Sequence, residues 1–103
     1  MIKKKDNTVN VTGLKPEIVK ILGTVWKVAT ELNGINYELV ITSAKDGQHK
    51  TGSKHYSGEA IDIRSRDMRN KVGLKRRLQE EIGKDYDIVI EETHIHIEYD
   101  PSN

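Results

Sequence analysis

A chain of 103 residues with 35% hydrophobic and 32% charged residues makes one domain with a modest core, too short to divide and too rich in Ile, Val and Leu to stay disordered. Lys plus Arg (17) nearly balance Asp plus Glu (16), so a net charge of +1 gives no electrostatic case for a nucleic-acid partner. There is no cysteine, hence no disulfide staple, and any metal has to be held by His and carboxylate groups; no long apolar run offers a membrane span.

The start, Met1-Ile2-Lys3-Lys4-Lys5-Asp6-Asn7, is basic with no apolar stretch after it. The expectation is a chain made in the cytoplasm without a signal peptide, a single domain over 1–103 whose residues 1–8 form a flexible N-terminus. Val9-Asn10-Val11 alternates like a short edge strand before Thr12-Gly13 turns the chain. Pro16 suits the first position of a helix, and Ile18, Ile21, Leu22, Val25, Val28, Ala29 and Leu32 trace one apolar stripe until Asn33-Gly34 stops it. Trp26, beside the stripe, reads as a core or boundary residue.

Tyr37 to Thr42 is β-branched and apolar, a strand with a buried face, and Ser43 to Lys54, with Asp46-Gly47 and Thr51-Gly52, is a loop. Gly58 permits a close backbone approach, after which Ala60-Ile61-Asp62-Ile63 alternates with both Ile on one face and Asp62 on the other. Asp67 is placed to cap a second helix from about Met68 to Ile82, with Met68, Val72, Leu78 and Ile82 on its apolar side, Leu74 beside them, and Gly83 at its end. Tyr86–Ile90 and His94–Tyr99 read as two further strands. The class is α+β, a small antiparallel sheet packed against two or three helices.

Strand alternation puts His94, His96 and Glu98 on one face while Ile95, Ile97 and Tyr99 take the other. A lone His is more often structural than a ligand, and His-x-His is not rare by chance. The pairing with His55 and Asp62, seven residues apart around Gly58, raises the odds. A water-activating zinc site uses three N or O ligands and an open fourth position, and His55, Asp62 and His96 are candidates for the three.

Ser53-Lys54-His55-Tyr56-Ser57-Gly58-Glu59-Ala60-Ile61-Asp62 resembles the Ser-x-His-x-x-Gly-x-Ala-x-Asp signature of the D-Ala-D-Ala carboxypeptidase and L-alanyl-D-glutamate peptidase family, and His94-x-His96 resembles the later half of its site. The run is also similar to the hedgehog signalling domain, whose fold is related. The likeness covers roughly Leu39 to Asp100.

This resemblance implies Zn2+ held by His55, Asp62 and His96, with His94 near the metal and able to hydrogen-bond substrate. Ser53 would orient the ligand loop, and together with Lys45 and His49 it would line the substrate side. A general base is needed as well. Many relatives have an acidic residue three positions before the last ligand, where this chain has Thr93. The hedgehog-type version has its glutamate slightly earlier, which points to Glu91 first and Glu92 second, although Glu92 shares the face of His94 and His96 if the strand is regular that far and Glu91 needs a bend or bulge. The arginine that many of these enzymes carry upstream has no counterpart in Ser43 to Gln48.

What the resemblance implies first is a monomeric zinc peptidase cutting peptidoglycan stem peptides, with no nucleic-acid or membrane partner. It would suit a phage or prophage cell-wall lysin released by a holin or by lysis. The alternative is a non-catalytic, zinc-binding hedgehog-like interaction module. A metal-dependent nuclease fits worst, given the balanced charge.

Overall fold

The computed structural model describes residues 1–44 and 58–101 of the chain. It is α+β. Strand β1 (Ile2–Lys4) pairs parallel with β2 (Leu39–Ser43), and β3 (Ala60–Arg64), β5 (His94–Tyr99) and β4 (Tyr86–Ile90) follow antiparallel, so the sheet runs β1-β2-β3-β5-β4. Helices α1 (Pro16–Val19), α2 (Leu22–Asn33) and α3 (Lys71–Ile82) complete it.

The sheet is mixed rather than wholly antiparallel because of its first strand. Ile2–Lys4, read from sequence as part of a tail, pairs with Leu39–Ile41, and a parallel pair needs a crossover between its members. The segment holding α1 and α2 supplies it. The strand expected at Val9–Val11 is a turn instead: Val9 donates its N–H to the Asp6 carbonyl and is 1% exposed, so it serves as a core plug.

The long apolar stripe is divided into two helices. At the break, Ile21 N–H bonds the Ile18 carbonyl in an i→i+3 step, a local tightening that keeps Ile18, Ile21 and Val25 all buried. Trp26 lies at the boundary, partly exposed. The third helix starts at Lys71, later than the sequence suggests, because Asn70 rather than Asp67 caps it, its Oδ1 accepting from Gly73 N at 2.9 Å. A Cβ at Gly73 would fall 2.4 Å from the Asn70 side chain, so the glycine makes room for the cap. Started there, the helix turns Leu74 and Leu78 into the core and leaves Val72 71% exposed, reversing the expected order of Val72 and Leu74.

One face of the sheet meets the helices. Leu39, Ile41, Ile61, Ile63, Ile88, Ile95 and Ile97 join Ile18, Val25, Val28, Leu74 and Leu78 in a continuous core. On the surface, Arg77 bridges Glu31 (2.6 Å) and Glu81 (3.2 Å), and Lys27 reaches Glu81 at 2.9 Å, linking α2 to α3. Exposed pairs of this kind contribute roughly 0–1 kcal/mol each, so the apolar core decides stability.

Gly58 holds the entry to β3 against the turn before α1. Its φ is +79°, its carbonyl accepts from Lys15 N at 2.9 Å, and an added Cβ would lie 2.4 Å from the Gly13 carbonyl oxygen. Gly34 also has a positive φ, +113°, but open space around it. Gly58→Ala should therefore cost about 2–4 kcal/mol in urea unfolding and Gly34→Ala only about 1 kcal/mol. Equal losses for the two would mean that the Gly58–Gly13 contact is not tight.

Candidate metal and recognition site

The site follows from strand register. Ile61 lies opposite Ile97 and Ile63 opposite Ile95, all four fully buried, so the residues between them must face away from the core. Asp62 is thereby opposite His96, Arg64 opposite His94 and Ala60 opposite Glu98. Strand β4 adds Val89 opposite His96 and Asp87 opposite Glu98.

On this polar face Asp62 Oδ1 is 2.9 Å from His96 Nδ1, and Glu98 Oε1 is 2.8 Å from His96 Nε2. His94 Nε2 lies 3.8 Å from Asp62 Oδ2, too far for a hydrogen bond, and its Nδ1 is 3.3 Å from Thr93 Oγ1. The Asp62 hydrogen bond raises the His96 pKa above the usual imidazole value; partial burial opposes it and Glu98 adds to it.

His55, His49, Ser53 and Lys45 lie outside the described residues. Glu91 and Glu92 do not sit on the strand with His94: β4 ends at Ile90, β5 begins at His94, and Glu91, Glu92 and Thr93 form the exposed connection, closed by Glu91 N–H on the His94 carbonyl at 2.9 Å. The structure thus brings Asp62, His94 and His96 together and leaves Glu91 and Glu92 in an exposed turn.

Sequence reasoning passed over two residues on the polar side of β3. Arg64 continues the alternation from Asp62, and Arg66 follows just beyond the strand; with Lys5, Thr42, Thr93 and His94 they line a pocket of about 280 Å³. Extending the period-two pattern by two residues would have found Arg64.

A profile of the Hedgehog amino-terminal signalling domain matches residues 4–98, from β1 through Glu98. The chain belongs to this family. Indian hedgehog proteins of Gallus gallus and Xenopus laevis are each 43% identical to it over 53 residues, which is 50% of this chain and 13% of either relative. The chain thus spans only a small part of these relatives' length. No solved structure matches it.

Membership of the hedgehog signalling family overturns the peptidase expectation. The fold is the one that both readings share; the function is not. A zinc peptidase, hydrolase or endolysin, the peptidoglycan stem peptide as its substrate, and release from the cytoplasm onto the cell wall all fall with that correction. The physical signs agree with it. Thr93 stands where many of the peptidases have an acid, and both nearby glutamates lie in the exposed turn.

The hedgehog-like likeness still implies a metal, and the described donors can be tested against one. Zinc bonds of roughly 2.0–2.2 Å in a tetrahedral set place donor atoms roughly 3.4 Å apart. Of the expected ligands Asp62 and His96 lie among the described residues, and their facing atoms are 2.9 Å apart, somewhat closer than that. A metal-binding His commonly gives its second ring N–H to a carboxylate, and Glu98 occupies that place beside His96 Nε2. The donors fit.

With the metal absent, two flanking carboxylates favour imidazolium at His96. The raised folded-state pKa means this stabilisation is fully present below about pH 6.5 and is lost as pH rises through the folded value. Chelator-treated protein should therefore show a denaturant midpoint that falls from pH 6 to pH 8 more than that of His96→Gln, with Glu98→Gln in between. Identical pH slopes for wild type and His96→Gln would refute the paired imidazolium.

Proposed function

We propose that the chain is a non-catalytic recognition module of the hedgehog signalling type, whose polar sheet face engages a protein partner around a zinc held by His55, Asp62 and His96. The observation that carries it is the family match over residues 4–98, which takes in every strand of that face. Two features of the face support the reading. It is rigidly backed, because each polar residue alternates with a fully buried Ile on β3 and β5. It also mixes an exposed apolar group, Val89 at 44%, with ordered charges, the composition of a protein-contact surface.

In such a module the metal would be structural, a closed or partner-completed site that ties the segment carrying His55 to β3 and β5. Asp62 and His96 would hold it, and Glu98 would orient the His96 ring.

Selection of a random peptide library on the zinc-loaded chain tests both halves. Selected peptides should lose at least tenfold in affinity on Val89→Glu, keep it on Val72→Glu on the outer side of α3, and be recovered uncut by mass spectrometry. Metal analysis should find about one zinc per chain, lost on His96→Ala. Cut peptides, or binders indifferent to Val89, would sink the recognition reading; zinc content unaffected by His96→Ala would sink the metal assignment.

A further inference from the structure

The polar face is electrically uneven along its length. At one end lie Asp87, Glu98 and Asp100, close enough for their carboxylate oxygens to fall within 4.8 Å of one another. At the other end, four residues back along β5 and therefore about 13 Å away, lies the pocket of Lys5, Arg64, Arg66 and His94, with the hydroxyls of Thr42 and Thr93. We propose that this basic end is a carboxylate-binding subsite, which takes an acidic side chain of the peptide segment the recognition face engages.

Arg64 is prepared for the task. Its Nη2 bonds Asp67 Oδ2 at 3.0 Å, and Asp67 is itself held by the Tyr37 hydroxyl, which donates to Oδ1 at 3.3 Å. The guanidinium is thereby positioned, while its Nε is buried without a hydrogen-bond partner. Asp67 offsets part of the Arg64 charge, and Asp6, 3.8 Å from Lys5, offsets part of that cation. Arg66 has no ion pair among the described residues, so the surplus positive charge is carried there. A planar guanidinium pair with two hydroxyls matches the two oxygens of a carboxylate.

The two ends together select the class of ligand. A sulfated polysaccharide laid along the face would meet three carboxylates within about 13 Å of its basic anchor, where like charges repel. A peptide can put an acid in the pocket and a neutral or basic residue beyond it. A pocket of about 280 Å³ also suits one side-chain head group rather than a chain of sugars.

The inference rests on the recognition reading, and its test separates the two. The 103-residue chain, with and without zinc, is titrated at low salt with the capped peptide Ac-Gly-Asp-Gly-Asp-Gly-NH2 and its Asn counterpart, following backbone amide shifts. The Asp peptide should move Arg64, Arg66, Thr93 and His94, the Asn peptide should bind at least fivefold more weakly, and Arg66→Gln should weaken the Asp peptide at least threefold. Arg66 is exposed, so its variant keeps the fold; Arg66→Lys should restore part of the affinity. Equal shifts from both peptides, or shifts centred on the basic run Lys75–Arg77, would overturn the subsite. So would a heparin fragment that binds the same amides tenfold more tightly than the peptide. Library-selected peptides that need Val89 but ignore Arg66 would remove the subsite and leave the recognition face standing.

Discussion

The pairing of β3 with β5 is the constraint on which the rest depends. Ile61, Ile63, Ile95 and Ile97 are fully buried, and their cross-strand positions admit one register. A slip of one residue would expose four isoleucines and bury Asp62, His96 and Glu98, at roughly 1.5–3 kcal/mol per apolar side chain before the cost of burying charge. The polar constellation is therefore a by-product of hydrophobic packing in its placement, and needs no internal polar bonds to find its geometry. Those bonds then orient rings already in position, as Asp62 and Glu98 do for His96.

The same logic explains why ligand geometry did not decide function. A carboxylate and a histidine on a strand pair can contribute to a metal site in an enzyme or in a structural module, since the ligands see only the ion. Hydrolysis needs a further group placed to carry a proton. The turn from Ile90 to His94 puts Glu91 and Glu92 outside the strand that would have aimed them, with Glu91 N–H spent closing the connection. The family match places the chain among hedgehog signalling domains, and the packing of β3 and β5 gives its polar face a rigid backing.

Much of the fold was legible because its signals are periodic. The alternation in Ala60–Ile63 and His94–Tyr99 predicted both strands and their faces, and Pro16 and Gly34 marked where helical structure begins and stops. What stayed hidden depends on distant partners. Nothing local in Ile2–Lys4 says that it joins β2, because its three residues are exposed and its pairing comes from the crossover through α1 and α2. Val9 looked like a strand residue and is a core plug. The choice of Asn70 over Asp67 as cap set the phase of α3, and with it which of Val72 and Leu74 is buried. For the site, Asp62 opposite His96 was readable from alternation; Arg66 was not, since it lies beyond the end of β3.

Asp67 shows how structural and recognition demands share residues here. It does not cap α3, and the carboxylate left over joins Tyr37, before β2, to Arg64, at the end of β3. Burial, then the negative charge of Asp67, pushes the Tyr37 pKa up to about 12, so the hydroxyl remains a donor through the physiological range. A donor fixed in this way holds Asp67, and Asp67 holds the guanidinium of Arg64, a residue that lines the pocket. Losing Tyr37's hydroxyl would not remove charge from the face; it would free Arg64 to choose other rotamers, and the entropy of re-ordering a long cation would then count against any carboxylate that binds. The near-neutral chain can thus present a locally basic surface, because positions and pairings decide which of its charges are spent and which are on offer.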